Sequence, residues 1–136
     1  MRSFVCATVI LTSMAAGCSK SDMVAVTGTV TVNGKPAEGV EVMFNPQGSG
    51  RMATAHTDAS GRFSLSTAAA GDGALPGDYV VTLGEYYPPG KPPAMPKGGG
   101  LLPSRFPPRY QDPTQSPAKA KVERGGKNDF TFDVKK

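Results

Sequence analysis

Residues 24–46, VAVTGTVTVNGKPAEGVEVMFNP, alternate apolar and polar side chains with a period of two, and the alternation breaks where glycine and proline bend the chain. Successive side chains of a strand point to opposite faces, so Val24, Val26, Val30 and Val32 share one face and three threonines the other. Asn33-Gly34 supplies a tight hairpin turn, Pro36 cannot donate to a sheet ladder, and Val40, Val42 and Phe44 then resume the apolar face. A helix-forming period is absent from this stretch. The pattern therefore commits the chain to strands.

The same grammar continues. Met52–Thr57 is a weaker strand, Asp58–Gly61 (DASG) a turn, and RFSLS directs Phe63 and Leu65 inward. After a Gly/Ala-rich loop from Thr67 to Ala74, LPGDYVVTL places Tyr79, Val81 and Leu83 inward. AKAKVE alternates weakly, and DFTFDV points Phe130, Phe132 and Val134 to the core. Seven short strands separated by turn signals predict an all-β fold, a seven-stranded antiparallel Ig-like β-sandwich, with a long Pro/Gly-rich loop.

The first 17 residues are of another character. Arg2 is followed by an apolar run, Phe4–Leu11, which ends in the small residues Ala15, Ala16 and Gly17 ahead of Cys18. The run is shorter than the roughly 20 residues a membrane span needs, and reads as an export signal cleaved between Gly17 and Cys18. Cys6 leaves with it, so Cys18 is a lone thiol in an exported chain. Small-small-Gly-Cys at this place resembles the lipobox of bacterial lipoproteins, although Ala15 stands where that family prefers leucine. The resemblance implies that Cys18 carries a diacylglyceryl group and acylated amine, and holds the protein extracytoplasmically on a membrane of the bacterial envelope, the outer membrane or the periplasmic face of the inner one. An ordinary signal followed by an incidental cysteine is the other reading. Residues 18–23 then form a lipidated tether and residues 24–136 one domain.

Removal of residues 1–17 leaves 119 residues, enough for one domain with one core. Its 14 basic and 11 acidic side chains are scattered, which marks a solvated surface. With no arginine-rich run or stacking platform, nucleic acid is not an expected partner.

Gly28, Val30, Gly34, Pro36, Gly39, Val40 and Val42, then Thr57, Asp58, Gly61 and Phe63, then Pro76, Gly77, Tyr79 and Val81 fill three segments: G-x-V with G-x-P-x-x-G-V-x-V, T-D-x-x-G-x-F, and P-G-x-Y-x-V. They resemble the signature of carboxypeptidase regulatory-like domains, a transthyretin-like, prealbumin-type family. Arg109-Tyr110-x-Asp112-Pro113 and the segment after it resemble the closing part of small lipoproteins that carry this domain. Every one of these positions has a scaffold task, in a turn or in the core, and predicts fold more than chemistry.

Catalysis has little to draw on. His56, the single histidine, shares parity with Met52 and Thr54 on a weak strand and reads as a surface residue. The transthyretin-like family includes a hydrolase of a purine-breakdown product, but the several histidines and Tyr-Arg-Gly-Ser ending of that enzyme are not in this sequence. Asp58 lacks the repeated acidic positions of a calcium loop, and Asp72 and Asp78 read as turn carboxylates. No catalytic residue, metal or cofactor is expected.

Residues 86–117 exceed what a scaffold needs. Nine of the 13 prolines fall between Tyr86 and Pro113, and a loop of this length is functional or disordered. Tyr86, Tyr87, Arg105, Phe106, Arg109 and Tyr110 provide aromatic faces and cations suited to a glycan or peptide. The competing expectation is a polyproline-like flap over a sheet edge. The expected function is accordingly a non-catalytic structural or adhesion module on a lipid anchor, or else a carbohydrate- or peptide-binding module that uses this loop.

Overall fold

The computed structural model describes residues 22–136, so the signal segment and its junction at Gly17 and Cys18 lie outside the described residues. Two four-stranded sheets pack face to face. The first contains β1 (Thr27–Val32), β2 (Lys35–Pro36), β5 (Arg62–Ser64) and β8 (Asp129–Val134); the second is ordered β4 (Ala53–His56), β3 (Val40–Pro46), β6 (Gly77–Glu85) and β7 (Lys119–Val122). Among the described residues there is no α-helix, only a single 3-10 turn at Pro108–Tyr110.

All seven expected strands form. An eighth, β2, is the short return arm of the hairpin, where Asn33 and Gly34 both take positive φ, 50° and 77°, as a two-residue hairpin turn requires. The wholly antiparallel arrangement needs correction. β8 runs parallel to β1 along its full length, from Thr27 beside Asp129 to Val32 beside Val134. A period-two pattern is the same for either direction, so alternation alone could not distinguish them. A parallel neighbour cannot follow through a tight turn, and here almost the whole chain is the crossover.

β1 is the centre of its sheet, with β8 along one side and β2 and β5 sharing the other. Gly28 makes this crowding feasible. A Cβ at that position would lie 2.3 Å from the Phe130 carbonyl oxygen and 2.4 Å from the Phe63 ring. The sheets join at one corner, where Thr54 and Ser66 exchange backbone hydrogen bonds of 2.9 Å.

Between the sheets, Phe44 is fully buried and its ring centroid lies 5.7–6.3 Å from those of Phe63, Tyr79, Phe130 and Phe132. Val30, Val42, Leu65, Val81 and Leu83 fill the remainder. Polar groups taken inside are paired. The Thr57 hydroxyl donates to the Ala37 carbonyl at 2.6 Å and accepts from the Val40 N–H at 2.9 Å, and the Tyr79 hydroxyl donates to the Leu75 carbonyl at 2.7 Å across the Pro76-Gly77 turn.

Two substitutions test this account by urea denaturation. Phe44→Ala removes the ring on which four others pack and is expected to cost about 3–5 kcal/mol. Gly28→Ala is expected to cost about 2–3 kcal/mol, because its methyl group meets backbone that cannot move without parting β1 from β8. Equal midpoints for Gly28→Ala and wild type would refute the close-approach argument.

Candidate functional site

The two ends of the sandwich are built differently. At one, Val24 bridges to Ala74, and Asp22 pairs with Arg124 at 3.1 Å, so the segment before β1 enters here. β6 starts from the same end and runs about 27 Å to the other, where Glu85 lies beside the chain that leads into the proline-rich segment.

Glu85 is the last residue of β6 and shares the inward parity of Tyr79, Val81 and Leu83. A carboxylate there must find a cation. Arg105 supplies it: Nη2 lies 2.7 Å from Oε2, Nε lies 3.1 Å from both carboxylate oxygens, and the Arg105 backbone N–H donates to Oε1 at 2.7 Å. Nη2 also donates to the Glu38 carbonyl at 2.8 Å, tying the segment to the approach to β3. Burial by itself would raise the Glu85 carboxyl, but the hydrogen bonds and charge of Arg105 outweigh it and hold the carboxyl below its ordinary value of 4.5.

Past this clamp the segment turns inward. Phe106 is only 3% exposed and belongs to the core, while it also lines a depression formed with Met95, Leu101 and Leu102. β7 pairs only with Gly77–Val80, so among the described residues the upper half of β6 has no strand on that side. There the Ser116 hydroxyl donates to the Val81 carbonyl, and the Val81 N–H donates to the Ala118 carbonyl at 2.8 Å. This part of the segment covers a sheet edge without forming a strand.

The remaining expected residues are dispersed. Tyr86 is half-buried and its ring is stacked 3.6 Å from that of His56 at an angle of 18°. Tyr87 is exposed. Arg109 and Tyr110 lie on the 3-10 turn, with the guanidinium 5.5 Å from the ring centroid and Tyr110 packed partly against the core. Sequence reasoning passed over a depression of about 700 Å³ lined by Met95, Leu101, Leu102, Ser104 and Pro108, with Leu101 almost fully exposed. Ala94-Met95 and Leu101-Leu102, adjacent apolar pairs in a proline-rich stretch, were the available signal.

The turn carboxylates are structural. Asp58 Oδ1 accepts the Ser60 hydroxyl and the N–H groups of Arg62 and Ser60, and Asp72 accepts those of Thr67, Ala69 and Ala68, so both are held below the ordinary aspartate range by donors at their own turns. Asp72 is thereby more than the solvated carboxylate its position implies. Among the described residues no group of three or more His, Cys, Asp or Glu side chains could hold a metal ion, and no helix is long and apolar enough to cross a membrane. Comparison of the chain with protein-family models, curated proteins and solved structures finds no match.

The Glu85–Arg105 clamp makes a prediction with a defined sign. Arg105→Ala is expected to lower stability by about 1–2 kcal/mol, moderated by the partial exposure of Arg105, and to speed tryptic cleavage after Lys97, the bond to Gly98 being open to trypsin where Lys91-Pro92 is not. Because the folded Glu85 carboxyl lies below its unfolded value, the contribution is complete above about pH 4.5 and is lost as pH falls through the lower folded value. The difference in urea midpoint between wild type and Glu85→Gln should therefore shrink on acidification; a difference that grows would contradict the clamp.

Proposed function

We propose that this chain is an exported lipoprotein, held on a bacterial envelope membrane through acylated Cys18, whose domain is a transthyretin-like β-sandwich acting as a non-catalytic structural or adhesion module. The observation that carries the reading is the separation of the two ends. The N-terminal segment enters beside Ala74 and Arg124, while the proline-rich segment is clamped at the far end by Arg105 and Glu85. Six residues from Cys18 to Val24 reach at most about 20 Å, so an anchored domain stands close to the bilayer with residues 86–104 directed away from it. The family likeness is supported by the scaffold tasks that its motif residues perform, Gly28 at the β1–β8 contact and Tyr79 across the Pro76-Gly77 turn among them.

The second reading, capture of a glycan or peptide by the proline-rich loop, is favoured by one observation: Tyr87, Met95 and Leu101 are exposed in a segment whose charges between Tyr86 and Gln111 are all basic. Clustered exposed apolar side chains of this sort commonly mark contact surfaces.

The anchor is tested by intact mass and membrane fractionation of the wild type beside Cys18→Ser, expressed in a bacterial host. Wild type should begin at Cys18, carry acyl mass and sediment with membranes, while the variant should be neither lipidated nor cleaved at that bond. If both proteins are cleaved, soluble and without added mass, Cys18 is an exported free thiol and the anchor is wrong.

A further inference from the structure

The outer edge of β8 has no strand beside it among the described residues. Thr27 N–H donates to the Asn128 carbonyl and Asn33 N–H to the Val134 carbonyl, which sets the parallel ladder so that even-numbered residues of β8 face β1. The backbone N–H and C=O groups of Asp129, Thr131 and Asp133 consequently point outward, about 6.7 Å apart. Beside them runs an open cleft of about 290 Å³, with Thr131, Phe132 and Asp133 on one side and Tyr110, Pro117 and Lys119 on the other.

From this geometry we infer that the β8 edge is a docking site for one extended segment of a partner protein, which adds as a further strand and carries lysine or arginine opposite Asp129 and Asp133. Backbone pairing supplies the affinity in strand addition, and alternate side chains supply the selectivity. The outward row of β8 is acid, threonine, acid. Asp129 and Asp133 also accept hydrogen bonds from Thr27 and Thr31, which hold the carboxylates on the exposed sheet face. Arg62 approaches Asp129 only to 3.7 Å, with both side chains more than half exposed, and leaves that carboxylate open to a further cation. The inward row of an added strand would meet the half-buried Phe130 and Tyr110, which favours apolar residues there. The partner segment therefore alternates basic and apolar side chains.

A second copy of this chain fits less well. Antiparallel pairing of two β8 strands about Thr131 sets Asp129 against Asp133 twice, and like charges directly opposite each other destabilise a sheet. The wall formed by Tyr110 and Pro117 also admits a single strand more readily than the edge of another folded domain.

The test is residue-resolved hydrogen exchange on the full chain, with the peptide Ser-Lys-Val-Thr-Val-Lys-Ser at millimolar concentration and its counterpart carrying glutamate in place of lysine. The lysine peptide should slow exchange at Asp129, Thr131 and Asp133, while the even-numbered amides are already slow. The glutamate peptide should bind about tenfold more weakly. Asp129→Asn combined with Asp133→Asn retains the acceptor atoms and should reduce that preference to about twofold or less. Thr131→Pro should abolish binding by removing an outward N–H; if that variant does not fold, the double asparagine variant decides. The proposal is overturned by equal affinity for the two peptides, by protection that appears around Leu101 and spares β8, or by edge amides already protected before any peptide is added, the mark of a second copy or of this chain's own N-terminal segment on the edge.

Discussion

Everything in this fold depends on the contact between its first and last long strands. β1 and β8 pair in parallel across a separation of 102 residues, and the intervening chain contains the whole second sheet as well as β2 and β5. Closing so long a loop has an entropic cost, which grows only slowly with length. The return is that Phe130 and Phe132 are delivered onto Phe44 from one side while Phe63 and Tyr79 approach from others. Gly28 is the geometric condition for this: a side chain there would separate the central strand from the Phe130 backbone and the Phe63 ring together. One missing methyl group thus links the register of the first sheet to the packing of the aromatic core.

The proline-rich segment solves a problem created by the second sheet. β6 is nine residues long and β7 only four, so half of one β6 edge has no strand partner. Proline cannot supply a full ladder, yet a segment rich in it can cover an edge without inviting a further strand to join. Two fixed points suffice, Arg105 on Glu85 at one end and Ser116 with Ala118 on Val81 at the other, and Phe106 is buried between them. Between these fixed points and the end of β6, Tyr87, Met95 and Leu101 expose their apolar side chains.

Much of this could be read from residue order, and the gaps have definite causes. Alternation identified seven of the eight strands and the inward placement of Phe44, Phe63, Tyr79, Phe130 and Phe132, because burial on one face imposes a period of two whatever the topology. Strand direction is not available from alternation, so the parallel β1–β8 pair departs from the antiparallel arrangement expected, and which strands pair was not legible at all. Phe106 looked like a surface residue because its neighbours are prolines and arginines, and nothing local announces that it is buried. Glu85 did carry a signal. A carboxylate at the inward parity of an apolar strand is costly unless paired, so a cation elsewhere had to answer it.

The same reasoning bears on why the two free edges of the sandwich carry opposite charges. β7 presents Lys119 and Lys121 and β8 presents Asp129 and Asp133, each row exposed on the outer face of its own sheet. Lysine on an edge discourages pairing between identical copies, and aspartate does so equally for its own edge. Opposite rows, however, attract each other, so charge alone would let β7 of one copy join β8 of the next in an open chain of molecules. Tyr110 and Pro117 stand between these edges. The segment that seals β6 therefore has a second consequence: it forms one wall of the cleft along β8. Charge determines which sequences are welcome at that edge, and the loop bounds one side of the space they enter.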